Sequence, residues 1–329
     1  MRWFTTYFNK NYLIRGLALY DSLMRHSLDA QLSIVCLDGE THRSLERMDL
    51  PRLRLFTLED LEQYEPLLLE ARRNRSLLEY FYTLSPVISL FMLDAIPEAD
   101  AITYVDSDIY FFDDPEPLFK ELGEGAVSII GHRFAQRLAH LKKFGIYNVA
   151  WLTFRRDERA FICLNWWRER CLEWCHDYLD NNRYADQKYL DDWPERFQGV
   201  VVLQHKGANL APWNLANYLI TEKDGDVRVD EASLIFFHFH RFRQVSAHVY
   251  DTHLAPYGAK VSPAARQAIF EPYIQAVRTL TEQAQNFMPG ISFDLGLRHQ
   301  NTDLVVRLKR FVRTCQKILN GDFIYFRDS

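Results

Sequence analysis

The chain has 329 residues, of which 48% are apolar and 25% charged, so it can form one large α/β domain or two smaller ones around a substantial core. Its formal net charge of −5 argues against a general nucleic-acid binder, which usually carries a basic excess. No uninterrupted apolar run approaches the roughly 20 residues of a membrane span, and the N-terminus lacks a signal-peptide core, so a cytoplasmic protein is expected.

The first third of the chain alternates between strand and helix patterns. Residues 2–8, 31–37 and 53–58 are typical of strands. Apolar side chains at helical spacing predict a helix over residues 11–26, between the first two strands. They predict another over residues 75–96, between the third strand and a further strand, AITYV. This alternation predicts an α/β fold with a mainly parallel sheet and helices on both faces, in which ligands collect at the carboxyl ends of the strands.

The rest of the chain is less regular. Strands are predicted at GAVSIIGHRF and YNVAWLTFRR, followed by a tryptophan-rich helix from about Arg159 to Leu179. A short helix is predicted near Asp186, and Asp224-Gly225 predicts a turn between two strand-like runs. Because no Pro/Gly/Ser linker interrupts the chain, we expect one catalytic-type domain over residues 1–261 and a helical extension over residues 262–329.

Two carboxylates stand one residue apart where the strand AITYV ends. Side chains two apart in an extended segment point the same way, so Asp106 and Asp108 can converge on one ligand. Carboxylate oxygens suit a hard divalent cation such as Mg²⁺ or Mn²⁺, and two of them leave coordination sites for a diphosphate. The alternative is a solvated turn before Asp113-Asp114-Pro115.

A pair of histidines forms the second candidate. His238 and His240 project from one face at the end of the apolar run LIFFHFH, and imidazole is a good ligand for divalent transition-type ions. The alternative is that either histidine is a satisfied core or rim residue.

Two further groups are candidates for contacts with a ligand. Asp186 and Gln187 stand at a helix start, where the alternative role for Asp186 is to cap the helix. A loop offers Asn209, Trp213 and Asn214, of which the tryptophan can instead be packed in the core.

In combination, these motifs resemble the nucleotide-diphosphosugar glycosyltransferases of the GT-A fold, and most of all the family 8 group, which includes lipopolysaccharide galactosyl- and glucosyltransferases and glycogenin. The resemblance covers roughly residues 2–245. It is carried, in chain order, by FTTYFNKNYLIRGLALYDSL, RSLLEYFYTLSPVISLFML, YVDSDIYFFDDPEPLF, YNVAWLTFRRD, ADQKYLDDW, GANLAPWN and LIFFHFH.

The resemblance implies a metal site and a donor site. Asp108 is implied to bind Mn²⁺ or Mg²⁺, Asp106 to bind the cation or the donor ribose, and His238, which begins the family's His-Phe-x-Gly element, to complete the metal ligands. Asp186 and Gln187 are implied to lie beside the reacting carbon. Further nucleotide-sugar contacts are implied for Thr5, Thr6, Tyr7, Arg75, Glu79, Ser107, Asn148 and Lys206.

The chain departs from the family at the end of that element. His240 and Arg241 occupy its last two positions, and no Lys-Pro-Trp follows, so Arg241, Arg243 or Lys206 is expected to contact the diphosphate instead. The acceptor or diphosphate candidates are Asn209, Trp213, Asn214, His240 and Arg241.

The function implied is metal-dependent transfer of a sugar, with retention of configuration, from a nucleotide-diphosphate sugar with uridine as its expected base. The acceptor would be a glycan or glycolipid in polysaccharide or lipopolysaccharide synthesis. Two alternatives are a GT-A module that binds without transfer and a phosphatase of the haloacid-dehalogenase type, which would want Thr or Val where Tyr110 stands. A dinucleotide-dependent oxidoreductase is disfavoured because no G-x-G-x-x-G follows the first strand.

The segment DLVVRLKRFVRTCQKIL predicts a basic amphipathic helix near the C-terminus. Such a helix can lie on an anionic membrane surface, which would suit a lipid-linked acceptor and peripheral attachment to the inner face of the membrane. The alternative is a helix packed on its own domain with a solvated basic face.

Overall fold

A computed structural model describes residues 1–223, 225–293, 317–318 and 321–326. The strands are β1 (Arg2–Phe8), β2 (Ala30–Cys36), β3 (Leu53–Thr57), β4 (Ala101–Val105), β5 (Ile109–Phe111), β6 (Val127–Gly131), β7 (Tyr147–Arg155), β8 (Val200–Leu203), β9 (Ile220–Lys223), β10 (Asp226–Val229), β11 (Ala232–Ser233), β12 (Phe236–His238), β13 (Arg243–Ser246), β14 (Val249–Asp251) and β15 (Phe323–Tyr325). The α-helices are α1 (Leu13–His26), α2 (Gly39–Met48), α3 (Leu58–Tyr64), α4 (Leu68–Asn74), α5 (Leu77–Ala95), α6 (Glu116–Leu122), α7 (Glu158–Glu173), α8 (Trp193–Arg196), α9 (Pro263–Ala265) and α10 (Glu271–Gln285).

Seven strands form the central sheet in the order β3-β2-β1-β4-β7-β6-β8. All of them are parallel except β7, which runs antiparallel to its neighbours β4 and β6. Two apolar clusters cover the two faces, one containing α1 and the other containing α5 and α7. The predicted mainly parallel α/β fold is confirmed.

Helix α5 is the long buried helix of one face. A capping box begins it, in which Ser76 and Glu79 each accept a hydrogen bond from the other's backbone N–H. By length and composition alone this helix could cross a membrane, but 61% of its most apolar window is buried inside the fold, as in a core helix.

A two-stranded antiparallel sheet joins the middle of the chain to a distant segment. Strand β12 pairs with β5, and His238 stands opposite Ile109. The β8–β9 loop passes so close to this region that a Cβ on Gly207 would lie 1.7 Å from the carbonyl oxygen of Ser233. The pairing therefore fixes where the histidines lie relative to the turn that follows β4.

Two predicted boundaries differ from the structure. Helix α7 ends at Glu173 rather than Leu179, because the Arg75 guanidinium donates to the carbonyls of Cys171 and Leu172 and so satisfies the end of the helix. The extension predicted to be helical packs α10 against α1 but includes strand β15, which pairs with β14. Most of the predicted basic amphipathic helix lies outside the described residues.

Candidate active site

A cavity of about 800 Å³ opens at the carboxyl-terminal edge of the parallel strands. Its lining comes from the ends of β1 and β4, the segments that follow β2 and β6, the first half of α5, the start of β7, and the loops after α7, β8, β12 and β14. The predicted site residues on this lining are Tyr7, Asp106, Ser107, Asp108, Asn148, Asp186, Gln187, Trp213, His238, His240 and Arg241.

The acidic pair and the distant histidine meet at this cavity. The Nε2 atom of His238 lies 3.0 Å from Oδ1 of Asp108 and 3.7 Å from Oδ2 of Asp106. In an octahedral shell with metal–ligand bonds of about 2.1 Å, adjacent ligand atoms are about 3.0 Å apart. The Asp108–His238 separation therefore matches two adjacent ligands of one divalent cation, and the Asp106 oxygen lies 0.7 Å farther from the imidazole than this spacing.

His240 adds a second imidazole to this group. One ligand atom from each of Asp108, His238 and His240 lies within 4.8 Å of the other two. The Trp213 ring packs edge-on against both imidazoles, at centroid distances of 5.2 and 5.5 Å, and so holds them in place. A donor set with two nitrogens is more typical of Mn²⁺ and other transition-type ions than of Mg²⁺.

The charges of these groups are mutually dependent. Burial alone would raise the pKa of Asp108, but the attraction and the hydrogen bond of His238 outweigh it and hold this pKa at about 2. Burial raises the pKa of Asp106 to about 6, although His238 acts in the opposite direction. Burial lowers the pKa of His240 to about 3, so its imidazole is neutral at physiological pH, as a metal ligand must be.

Asp186 is a buried carboxylate on the same cavity lining. Only 5% of the residue is exposed, and its carbonyl oxygen accepts a hydrogen bond from Trp167 Nε1 at 2.9 Å. Burial raises the pKa of Asp186 to about 7, the Asp106 charge adds to the rise, and a hydrogen bond from Ser85 opposes it. The backbone N–H groups of Asp186 and Gln187 also hydrogen-bond to the carboxylate and lower its pKa, but it makes no N-cap hydrogen bond to the 3₁₀ segment Gln187–Asp192 that follows.

The backbone before Asp186 is strained. Ala185 is buried and has φ +46°, in the left-handed region that residues with a Cβ seldom adopt. Its N–H donates to the carbonyl oxygen of His176, which fixes the turn. Such strain at a cavity costs about 1–3 kcal/mol and persists because the surroundings hold it, which is typical of functional positions.

Gln187 contacts protein rather than open space. Its Nε2 donates to the carbonyl oxygen of Phe144 at 3.0 Å, which ties the loop before β7 to the cavity. The rings of Phe144 and Tyr184 meet at 4.8 Å on the same wall. The Gln187 side chain therefore helps to fix the shape of this wall, and it also lies on the cavity lining.

Two of the residues assigned to the nucleotide base lie away from the cavity. Thr5 and Thr6 are fully buried inside β1, because this sheet is covered on both faces. Tyr7, nearer the strand end, lines the cavity and donates to the carbonyl oxygen of Phe81. The assignment of the two threonines to the base is corrected accordingly.

Three charged candidates are not on the cavity lining and are occupied by structural contacts. Arg75 caps α7, as described above, and Arg243 pairs with the buried Asp251 at 2.9 Å. Glu79 accepts hydrogen bonds from its own helix start and from the backbone N–H of Asp177. Their assignment to the nucleotide sugar or diphosphate is not supported.

The loop candidates other than Trp213 also have structural roles. Lys206 pairs with Asp230 and Glu231, each at 3.0 Å, and does not reach the cavity. Asn209 and Asn214 are fully buried and donate to carbonyls at the end of β6 and just after it. They brace the cavity wall instead of contacting a ligand.

Sequence reasoning missed residues that position the acidic groups. The Tyr104 hydroxyl donates to Oδ1 of Asp106 at 3.0 Å, and Ser85 donates to Asp186. Tyr7 packs beside Tyr104 and lies 3.5 Å from the Ser85 hydroxyl. The two-residue spacing of Tyr104 and Asp106 on one face of the strand was the available signal for the first of these contacts.

Comparisons with known proteins give relatives and a fold. The chain is 30% identical over 292 residues to the uncharacterised protein YfnD of Bacillus subtilis (strain 168), covering 88% of this chain and 93% of that protein. It is 33% identical over 251 residues to the uncharacterised protein YfnF of the same organism, and this match covers 74% of this chain and 82% of YfnF. No family model matches the chain.

A solved structure supports the fold assignment. The galactosyltransferase LgtC, crystallised in complex with donor and acceptor sugar analogues, superposes with a TM-score of 0.54 at 15% identity. The match covers 87% of this chain and 100% of LgtC. The predicted GT-A fold is confirmed.

Proposed function

The chain belongs to the family of YfnD and YfnF, and we propose that it is a metal-dependent glycosyltransferase that uses a nucleotide-diphosphate sugar as donor. The observation that carries this proposal is the meeting of Asp108 with His238 and His240 at the carboxyl edge of a GT-A sheet. The likeness to LgtC supports it through the fold.

Asp106, Asp108, His238 and His240 are the residues that would hold the cation. When bound, a divalent cation would stabilise the negative charge that develops on the leaving diphosphate. The two imidazole nitrogens favour Mn²⁺ over Mg²⁺. Tyr104 fixes the rotamer of Asp106 through its hydroxyl, and Trp213 fixes the two imidazoles.

The chain's other lining residues have distinct roles in this proposal. Arg241 is the one Lys or Arg among the described residues of the lining, so it would contact the diphosphate directly. Asp186, held by Ser85 and by the strained turn at Ala185, would orient the donor sugar or stabilise positive charge at its reacting carbon. Tyr7, Ser107 and Asn148 line the donor side.

The donor base, acceptor and stereochemistry follow from the family resemblance. We expect a UDP-sugar donor, a glycan or glycolipid acceptor and retention of configuration. Synthesis of a cell-surface polysaccharide by a cytoplasmic enzyme, attached peripherally to the membrane if its C-terminal basic segment binds lipid, is the setting that fits this chemistry.

The test compares two Asp→Asn variants, one in the turn after β4 and one just before β4. Asp108→Asn is expected to raise the Kd for Mn²⁺ by about 100-fold or more and to lower hydrolysis of the preferred nucleotide sugar by a similar factor. Asp100→Asn, on an exposed carboxylate just before β4, is the matched control and should behave as the unmodified protein.

The outcomes separate the alternatives. Full activity and Mn²⁺ affinity in Asp108→Asn would show the metal assignment to be wrong. Binding of Mn²⁺ and a nucleotide diphosphate by the unmodified protein, with no turnover of any nucleotide sugar, would indicate a GT-A module that binds without transfer.

A further inference from the structure

One part of the chain has a charge distribution unlike the rest. Residues 125–156 contain no Asp or Glu, although the chain has 44 acidic residues, and they contain six Lys or Arg. Within this stretch, Gln136–Phe144 forms a nine-residue 3₁₀ segment, which we call the basic rim. Its cations are Arg137, Lys142 and Lys143, and His140 lies among them.

The basic rim is attached to the cavity on two sides. Leu141 and Phe144 line the cavity, and Gln187 donates to the carbonyl oxygen of Phe144. At the other end, Arg137 donates to the carbonyl oxygen of Tyr257, which is itself a lining residue. The basic rim therefore bridges two walls of the cavity mouth.

The outer face of the basic rim carries charges that protein carboxylates do not neutralise. Lys142 and Lys143 are exposed and form no ion pair within the part of the chain that the structure describes. The neighbouring carboxylate of Asp191 is occupied, because it accepts from Lys188 at 2.6 Å and from a backbone N–H. Lys143 Nζ lies 5.0 Å from the ring centroid of Phe144, next to the cavity.

The interior of the cavity has the opposite charge. Asp106, Asp108, Asp177 and Asp186 all line it, whereas the basic rim at its mouth is cationic. The acidic interior repels an anionic group, whereas the cationic basic rim attracts one. A ligand that matches both would place a neutral end inside the cavity and an anionic group at the basic rim.

We propose that the basic rim selects an acceptor glycan that carries phosphate or carboxylate groups, with its neutral accepting sugar inside the cavity. This inference rests on the proposed glycosyltransferase function and names its acceptor class. A glycan fits better than a membrane, because the outer face presents Arg137, Ala139, His140, Lys142 and Lys143 without the exposed large apolar side chains that anchor a surface helix in lipid.

The test uses the full chain and two charge-matched double variants. Lys142→Gln/Lys143→Gln removes two charges from the basic rim, and Lys120→Gln/Lys260→Gln removes two exposed charges elsewhere. Binding is measured by calorimetry at about 50 mM NaCl, where surface charges are weakly screened. The probes are hexagalacturonate, neutral maltohexaose and phosphatidylglycerol vesicles.

Hexagalacturonate is expected to bind the unmodified protein and the control with similar Kd, and the basic-rim variant with a Kd about fivefold higher. Maltohexaose should bind more weakly and equally to all three. Equal hexagalacturonate binding by both double variants, or maltohexaose binding as tight as hexagalacturonate, overturns the proposal. So does binding of the vesicles through Lys142 and Lys143 without binding of hexagalacturonate, which would assign the basic rim to a membrane.

Donor hydrolysis distinguishes this proposal from the one on which it rests. The basic-rim variant should hydrolyse the preferred nucleotide sugar at the unmodified rate, because neither lysine lines the cavity. If no nucleotide sugar is hydrolysed by any form, the glycosyltransferase function fails, whereas hydrolysis that persists with equal hexagalacturonate binding overturns only the acceptor class.

Discussion

Replacing Asp186 by Asn is expected to stabilise the protein in a pH-dependent way while it impairs sugar transfer. Burial raises the pKa of this carboxyl from 3.8 to about 7, so the folded state holds a proton that the unfolded state releases. The free energy of unfolding therefore falls as the pH rises from about 4 to 7. Above pH 7 it stays lower by the full cost of ionising the buried carboxyl. Asn is never charged, so the variant lacks this penalty at every pH.

The magnitude follows from the pKa. A rise from 3.8 to about 7 corresponds to a penalty of about 4 kcal/mol at pH 8 and about 1.5 kcal/mol at pH 5. The difference of about 2.5–3 kcal/mol corresponds to about 4 °C in Tm for a chain of this length. The gain in Tm from Asp186→Asn should thus be about 4 °C larger at pH 8 than at pH 5.

The assay is calorimetric melting at both pH values with EDTA present, so that bound cations do not contribute. Asp177→Asn is the matched control, because it makes the same chemical change at a carboxylate that lines the same cavity but is exposed to solvent. A gain from Asp186→Asn that is equal at the two pH values, or larger at pH 5, would refute the reasoning about its burial.

Three further predictions test the fold and the metal site. Glu79→Ala should lower the free energy of unfolding by about 1–2 kcal/mol and Glu79→Gln by less, because Gln can keep the capping box; equal effects of the two variants in denaturant melts would contradict this expectation. Hydrogen bonds outweigh burial and hold the pKa of Glu79 at about 2, so the stabilisation by this carboxylate should disappear as the pH falls from 4.5 to 2. Gly207→Ala should destabilise by about 3 kcal/mol or more, because its Cβ would overlap the Ser233 carbonyl, whereas Gly39→Ala meets only a flexible side-chain end and should melt normally. His240→Ala should weaken Mn²⁺ binding by about tenfold or more and Mg²⁺ binding much less, and unchanged Mn²⁺ affinity by calorimetry would exclude this imidazole from the ligands.

The sequence was sufficient for the fold because its periodicities are local. The apolar runs at Arg2–Phe8 and Ala101–Val105 and the helical spacing of Leu77–Ala95 each predicted the element that forms there. The meeting of Asp108 and His238 was expected from the resemblance to the GT-A glycosyltransferases. The strand that brings them together lies outside the parallel sheet, because His238 ends β12, which pairs antiparallel with β5.

Contacts that depend on side-chain direction were not predictable. Thr5 and Thr6 precede the end of their strand by only a few residues, yet in a sheet covered on both faces that distance buries them completely. Arg75 can reach several partners with its long side chain, and only the folded chain shows that the end of α7 is the one it contacts. Strand β15 pairs across about 70 residues, which no local pattern encodes.

The short ladder between β5 and β12 has a consequence for how this protein matures. The acidic pair and its imidazole partners are about 130 positions apart and are joined by three paired residues. A ribosome-bound chain that has exposed only the carboxylates therefore lacks the nitrogen donors, so under the proposed function ion capture would wait until translation has passed the second histidine. Uptake of Mn²⁺ by a nascent or truncated chain would thus report that β5 and β12 have paired.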